Sequence, residues 1–244
     1  FYRIFFVQSI LEVALLFQYL VGRILIKDRA LSNEAIMSLN GGVIAEYYYH
    51  GTVYFFFHVQ IWGVIVLSLI RFINICAPQS SLKQKLDSMP LVVCFLINTI
   101  VPFGMLFRLL LQEPISFDWD KEGNAAICTP QNVVHTNALQ STIVTSIGTM
   151  LSASFYAAAL IKLTYTNHLT FRDSRREKGL ILIGSVHFLS QCTMTAYYVI
   201  VTFGAAYSEM IVLVARNIYV LPVLMMTFTS AWTLTITHTR LRDR

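Results

Sequence analysis

The sequence predicts an all-α membrane protein, a single bundle of about six helices that each cross the bilayer. Of its 244 residues, 56% are hydrophobic and only 13% are charged, whereas soluble domains carry about 25% charged residues. The apolar residues cluster in stretches of about 20, the length that a hydrocarbon core of about 30 Å requires. This excess of apolar surface indicates lipid rather than water as the surrounding solvent.

Apolar windows separated by polar interruptions define the predicted helices, which form one domain over residues 1–244. Backbone amides in lipid must be satisfied within their own segment, and runs such as 53–70 lack the alternation of a β-barrel. Helices are therefore the predicted element. Their approximate ranges are 4–26, 43–70, 90–111, 140–163, 179–203 and 211–237.

Lysine and arginine in the connections predict the orientation, because such residues accumulate on the cytoplasmic side. With six spans, twelve of them share one side and five the other, which also holds Asp118, Asp120 and Glu122. We therefore expect a multi-pass protein of the plasma membrane with a cytoplasmic C-terminus. The twelve are Arg3, Arg71, Lys83, Lys85, Lys162, Arg172, Arg175, Arg176, Lys178, Arg240, Arg242 and Arg244.

The start of the chain bears on the number of helices. It begins at Phe1 without a methionine or a signal-peptide pattern, which indicates a truncated start. The orientation above places Phe1 inside, so one more helix before it would give seven helices and an outer N-terminus. The alternative is a six-helix transporter or channel subunit. It is weakened because no internal repeat and no matching pair of interrupted helices is visible.

Glu12 is the acidic residue placed deepest in a predicted helix. It follows Arg3 by nine residues, about 13 Å along a helix and so near the membrane midplane. An ionisable group at this depth is a candidate for function. Two roles fit Glu12: an intramembrane switch or ion site, or a protonated or paired group that only fastens helices together.

A set of polar residues indicates a ligand pocket in the outer half of the bundle. Some follow helical spacing on the second and fifth predicted helices, and one is an arginine near the outer end of the sixth. The alternative for each is interhelical hydrogen bonding, or snorkelling of the arginine to the surface. The predicted ligand-binding residues are Glu46, His50, Tyr54, His187, Gln191 and Arg216.

Motifs of enzyme chemistry are missing from the sequence. It contains no phosphate-binding loop, zinc-binding H-E-x-x-H helix, nucleophile elbow or dinucleotide-binding turn. The four cysteines include no C-x-x-C pair, and His50 and His58, the nearest histidines, are over two helical turns apart. We predict no enzyme activity, no metal and no cofactor. Nucleic acid is not expected as a partner, because the basic residues lie between spans.

The end of the second predicted helix carries a family resemblance. It reads Ser68-Leu69-Ile70-Arg71-Phe72, with Pro78 further on, and resembles the third helix of serpentine receptors. The opening Phe1-Tyr2-Arg3-Ile4-Phe5-Phe6, the run Arg175-Arg176-Glu177-Lys178 and Pro222 add to it. Together they are similar to nematode serpentine chemoreceptors, first the class gamma (Srg) superfamily and, as its neighbour, class V (Srv). The resemblance covers the whole chain.

The resemblance implies a seven-transmembrane, GPCR-like chemosensory receptor that binds a small molecule and signals to a heterotrimeric G protein. Arg71, Arg175 and Arg176 would form the coupling surface, unless the loop charges only set topology and meet anionic lipid. The sequence departs from the rhodopsin pattern, because no Asp-Arg-Tyr triplet surrounds Arg71. It also offers Cys128 no cysteine at the outer end of the second helix, so the usual loop disulfide is in doubt.

Overall fold

The structure is a computed structural model, and it covers most of the chain. His50 and Arg216, and most of the predicted sixth helix, lie outside the residues that it describes; within 171–184 only the backbone is described. The described residues are 2–22, 31–40, 44–47, 54–107, 115–120, 123–165 and 171–204, with single helical positions at 210, 214, 218, 221, 224 and 225.

The described chain is mostly helical, with one antiparallel hairpin in which Ser116 pairs with Cys128 and Trp119 with Ala125. Five of its helices are long and three are short. In chain order the elements are α1 (Tyr2–Gly22), α2 (Asn33–Ser38), α3 (Ile44–Glu46), α4 (Phe56–Cys76), α5 (Ser81–Ser88), α6 (Leu91–Phe107), β1 (Ser116–Trp119), β2 (Ala125–Cys128), α7 (Gln131–Tyr165) and α8 (Phe171–Gly204).

Within the described residues, three helices are long and apolar enough to cross a membrane: Arg3–Gly22, Phe57–Cys76 and Asn132–Lys162. A further pair, Ser81–Ser88 with Leu91–Met105, is bent by 102°. At 1.5 Å per residue, the 35 residues of α7 reach about 52 Å. This length exceeds the hydrocarbon core of about 30 Å. The prediction of a helical membrane bundle is therefore confirmed.

Several helix ends differ from the predicted ones. α4 continues to Cys76 rather than ending near residue 70. α7 begins directly after Pro130, whose carbonyl accepts the Val134 N–H at 3.1 Å. α8 begins at Phe171, so the basic run 172–178 is helical rather than a loop. Hydropathy predicts that a helix ends where the apolar residues stop. Polar residues such as Gln, Arg and Glu also form helices, so the helices continue beyond the apolar windows.

α4 is the central helix, because it packs against α1, α6, α7 and α8. One apolar cluster joins it to α1 and α6 and includes Ile4, Val59 and Cys94. A second joins it to α8 and includes Phe57, Ile61, Val64, Met194 and Tyr198. Through these two clusters α4 links the two halves of the described bundle.

The bundle is apolar outside and partly polar inside. On α1, Phe6, Ile10, Val13 and Phe17 are all more than half exposed, while Glu12 is 3% exposed. Such an arrangement is unfavourable in water, where large apolar residues are normally buried. It is the arrangement expected in lipid, where polar side chains turn toward the bundle interior.

A small separate unit, here called the cap, is formed by residues 31–40, 44–47, 115–120 and 123–128. Its core contains Ile36, Ala45, Ile115, Phe117 and Ala125. The cap joins the connection between α1 and α4 to the hairpin between α6 and α7, so both connections lie at the end of the bundle where α4 begins. The sequence analysis did not predict this hairpin.

Two asparagines hold the cap together. The Asn40 amide donates to the Phe117 carbonyl and accepts the Phe117 N–H, both at 2.7 Å. Asn33 donates to the Gly123 carbonyl at 3.4 Å and accepts the Ala125 N–H at 3.2 Å. Gly123 has φ 76°, a conformation that favours glycine, and so allows the tight hairpin turn. Hydrogen bonds thus tie the hairpin to the α2 region.

Glycine substitutions test the close packing of α4, α7 and α8. A Cβ on Gly148 would lie 2.9 Å from Ile61 Cγ2 and 2.9 Å from Gln191 Nε2, whereas a Cβ on Gly104 meets nothing within 4 Å. We expect Gly148→Ala to destabilise the fold by about 1–3 kcal/mol through overpacking. Gly104→Ala should be neutral or stabilise by up to about 1 kcal/mol. Thermal unfolding in detergent measures both; equal stabilities would contradict this packing.

Loss of the Asn40 side chain should open the cap without unfolding the bundle. Asn40→Ala removes two hydrogen bonds to Phe117, each with a net value of about 1 kcal/mol. Amide hydrogen exchange should rise in 115–120 and 31–40 and stay constant in α4. The control is Cys128→Ser, because Cys128 is a free, exposed thiol and should not affect exchange. Unchanged exchange in Asn40→Ala would show that the apolar core alone holds the cap.

Candidate functional site

Contacts between side chains define how α4, α7 and α8 are aligned. Ile61 of α4 lies against Gly148 of α7, and ten residues later Arg71 meets Tyr156, so α4 and α7 run in the same direction. α8 runs in the opposite direction, because Thr142 pairs with Thr202 at 2.7 Å and Thr149 with Thr195 at 2.8 Å. The two ends of the bundle are named here the Tyr54 end and the Arg71 end, after residues of α4.

At the Tyr54 end, His58 of α4 is buried and held in one orientation. Its Nδ1 lies 2.6 Å from the Tyr54 carbonyl oxygen. A carbonyl can only accept, so Nδ1 carries the proton, and in the neutral ring Nε2 is an acceptor. This Nε2 is buried and has no hydrogen-bond partner in the described structure. Phe57, beside it, packs against Tyr198 of α8 with ring centroids 4.6 Å apart.

The face of α7 turned toward α4 carries two further buried polar residues. Asn137 and Ser141 are one turn apart, and Gly148 follows two turns later on the same face. Both side chains have 0% exposure. Neither amide atom of Asn137 nor the Ser141 hydroxyl has a hydrogen-bond partner among the described residues. By the alignment of α4 and α7, Ser141 lies at the level of Tyr54, and Asn137 lies about one turn further from the Arg71 end.

Gln191 of α8 closes this region toward the middle of the bundle. Its amide nitrogen lies in the notch left by Gly148, because a Cβ added to Gly148 would be 2.9 Å from Gln191 Nε2. Gln191 is fully buried, and both of its amide atoms lack partners in the described structure. Unsatisfied buried polar groups cost about 1–3 kcal/mol each. Four residues, His58, Asn137, Ser141 and Gln191, are here called the polar cluster. Asn137 and the notch at Gly148 that holds Gln191 are eleven residues apart, so the cluster extends over about 16 Å along α7.

Chemically, the polar cluster offers hydrogen bonds without a formal charge. The amides of Asn137 and Gln191 can both donate and accept, Ser141 can do the same, and His58 Nε2 accepts. Apolar side chains surround them, among them Phe57 and Ile61. A mostly apolar lining with a few polar groups is typical of small-molecule sites. Such a site suits an uncharged molecule with both donor and acceptor groups.

Glu12 lies in a different environment, between α1 and α4. Its Oε1 accepts the Gln8 amide at 2.9 Å, and the same nitrogen lies 3.4 Å from the Val59 carbonyl. Gln8 occupies the space where Gly63 has no side chain. The Gln8 contacts join α1 to α4, whereas Glu12 bonds to Gln8 within α1, and its predicted fastening role stays a prediction. An intramembrane switch role remains a prediction.

At the Arg71 end, a buried arginine links two helices. The Arg71 guanidinium donates to the Tyr156 hydroxyl at 3.3 Å, and its carbon lies 5.9 Å from the centre of that ring. Tyr156 in turn meets Phe188 of α8, with centroids 6.4 Å apart. The sequence placed Arg71 at the membrane surface, where the helix was predicted to end. Because α4 continues beyond it, Arg71 is 4% exposed and lies inside the bundle.

The predicted ligand-binding residues occupy different places. Tyr54 and Gln191 lie near or within the polar cluster, and Glu46 is half-buried on α3 in the cap. His187 is buried beside Phe5, with ring centroids 6.5 Å apart. It precedes Tyr198 by eleven residues, about 16 Å along α8, and so lies toward the Arg71 end. His50 and Arg216 lie outside the described residues.

The predicted coupling residues are only partly described. Arg175 and Arg176 have helical backbone within α8, and their side chains lie outside the description.

Sequence reasoning missed Asn137 and Ser141. Asn137 falls in the connection before the predicted fourth helix, 140–163, because the apolar window starts late, and Ser141 falls inside that helix without being singled out. A usable signal was present: Asn137, Ser141, Gly148 and Ser152 repeat at helical spacing and give a face of small and polar residues. Metal binding has no support in the described part of the chain, where no three His, Cys, Asp or Glu side chains form a group.

Long apolar helices around a partly polar interior define a multi-pass membrane protein of the helical-bundle class. Over residues 1–244 the chain matches the family described as serpentine type 7TM GPCR chemoreceptor Srv. The protein belongs to this family of membrane receptors. The predicted serpentine chemoreceptor resemblance is thereby confirmed, and class V is the class that matches. No curated protein matches the chain.

Proposed function

We propose that this chemoreceptor binds a small, uncharged molecule at the polar cluster and transmits binding to a G protein at the Arg71 end. The observation that carries the proposal is the set of buried polar atoms without partners on α4, α7 and α8. A ligand that satisfies them gains their full hydrogen-bonding free energy, because the unliganded protein does not satisfy them. The family membership supports the chemosensory role.

The orientation follows from the distribution of positive residues. We propose that the Tyr54 end and the cap face outward in the plasma membrane, and that the Arg71 end and the C-terminus face the cytoplasm. A ligand would then enter at the side of the cap. Glu46 in the cap and Tyr54 at the start of α4 are candidates for its path; His50, His187 and Arg216 stay predictions as ligand contacts.

Transmission requires that the ligand favours one arrangement of the bundle over another. The polar cluster and the Arg71–Tyr156 contact involve the same two helices, α4 and α7. A ligand that draws these helices together at Asn137 therefore changes their relation at Tyr156, since packed helices move as rigid rods. Arg71 would act at this end through its contact with Tyr156, and Arg175 and Arg176 on α8 would present the cytoplasmic surface to the G protein.

The ligand site is tested by replacing Asn137 with an apolar residue of similar size. Asn137→Leu should leave the unliganded protein equally stable or about 1–2 kcal/mol more stable, because it removes an unsatisfied polar group. In the unsubstituted protein, neutral alcohols, ketones or amides should raise the unfolding temperature more than acids and amines of the same carbon skeleton do. Asn137→Leu should abolish this rise. Differential scanning fluorimetry measures both effects.

Ser154→Ala is the matched control, because Ser154 is exposed on the same helix. Its hydroxyl donates to the Met150 carbonyl, one turn earlier in α7, at 2.8 Å. This variant should keep the ligand response. If Asn137→Leu instead destabilised the unliganded protein by several kcal/mol, Asn137 would be a structural link between helices. If the ligand response survived in Asn137→Leu, Ser141→Ala and Gln191→Leu, the ligand would bind elsewhere.

The coupling surface is tested by charge-preserving substitution. Arg71→Lys keeps the positive charge but loses the planar fork that contacts Tyr156. Combined with Arg175→Lys and Arg176→Lys, it should preserve surface delivery and lower basal and ligand-stimulated nucleotide exchange on the G protein by about tenfold, the effect of about 1.4 kcal/mol. Exchange assays with reconstituted receptor measure this.

Lys162→Arg is the control for that experiment, because it changes an exposed cation near the same end of α7 and keeps its charge. Full exchange activity in the triple variant would leave the three arginines with a role in topology only. Single variants separate Arg71, which is buried against Tyr156, from the two arginines of α8.

A further inference from the structure

We propose that α5 is a membrane-surface helix that binds the headgroups of anionic phospholipids through Lys83 and Lys85, with Leu82 inserted among the acyl chains. The inference concerns a face of the protein remote from the polar cluster, and it does not depend on the proposed function.

The direction of α5 places it along the membrane surface. α5 and α6 meet at an angle of 102°. α6 packs beside α1 and α4 and therefore runs with the bundle, so α5 lies across it. The sequence of α5, Ser-Leu-Lys-Gln-Lys-Leu-Asp-Ser, has three charged side chains in eight residues. Such a segment does not belong in the hydrocarbon core, which leaves the interface.

α5 is amphipathic in the manner of an interfacial helix. At 100° per residue, Leu82, Leu86 and Met89 share one face. Lys83 and Lys85 lie on either side of that face, where long aliphatic stems reach past an apolar surface and hold the ammonium groups in the polar layer. Asp87 lies further round, beyond Lys83. The apolar face and its two flanking lysines match a bilayer surface.

The apolar face is only partly covered by the protein. Leu86 and Met89 pack against the apolar cluster of α1, α4 and α6, and this contact fixes the rotation of α5. Leu82 is one turn further from that cluster and is 51% exposed. The same side of the bundle carries Arg3, which donates to the Met89 carbonyl at 2.9 Å. Lys83 and Lys85 thus flank the exposed leucine, and Arg3 lies at the other end of α5.

The start of α5 is fixed independently of lipid. The Ser80 side chain accepts the Lys83 N–H at 3.2 Å and caps the helix. The helix is therefore formed before any ligand binds, so its lysines are presented at set positions. Phosphate groups of anionic lipids are the partners that such cations attract at a membrane surface. If the partner were a protein and not a lipid, a protein surface would have to cover Leu82. The depth measurement below distinguishes these two outcomes.

The depth of α5 is measured with a fluorophore on single cysteines. Leu82→Cys and Gln84→Cys are made in the full chain with Cys76, Cys94, Cys128 and Cys192 replaced by alanine, labelled with an NBD group, and reconstituted in phosphatidylcholine–phosphatidylglycerol vesicles. Lipids with a nitroxide on the acyl chain should quench the label at 82 at least threefold more than at 84, which lies on the polar face. Equal quenching, or protection of position 82 only on adding a G protein, overturns the proposal.

The headgroup preference is measured with the same label at position 82. The preference for nitroxide-labelled phosphatidylglycerol over labelled phosphatidylcholine should fall about fivefold for each lysine lost, in Lys83→Gln and Lys85→Gln. Lys83→Arg and Lys85→Arg should retain it. A preference that survives both glutamine substitutions overturns the headgroup site, even if the depth measurement places Leu82 in the bilayer. Monodisperse elution and unchanged unfolding temperature establish that each variant is folded.

Discussion

Satisfying polar groups away from water is the constraint on which this structure depends. In lipid the backbone must bond within its own segment, so long helices result, and polar side chains must find partners inside the bundle. α4 lies where these partners meet. Through Gly63 it admits Gln8 of α1, and through Arg71 it reaches Tyr156 of α7. The outward surface is left to large apolar residues.

The same constraint distinguishes structural from functional polar residues. Where partners are present, as in the Thr142–Thr202 pair, a polar contact links two helices. Where buried atoms have none, as at Asn137, the unliganded protein carries an energetic cost that a ligand can remove. A receptor needs both kinds, because fixed contacts transmit a change only if another site can favour one arrangement over another.

Outside the membrane the chain is held by different interactions. The cap has an apolar core around Phe117 and is tied by Asn33 and Asn40, with Cys128 free and exposed. Hydrogen bonds of this kind open more easily than a disulfide, so the cap can move while the bundle stays folded. In the proposed function, a loop over the Tyr54 end that moved in this way would allow a ligand to reach the polar cluster.

The sequence by itself determined the membrane class and the long helices, because apolar length and helical spacing are local properties. It also identified Gln191 as a candidate. It did not identify Asn137 as buried, nor show that His187 lies about 16 Å along α8 from Tyr198, which packs against Phe57. Only the tertiary structure decided these points, because the alignment of α4, α7 and α8 depends on contacts between distant residues, such as the notch at Gly148.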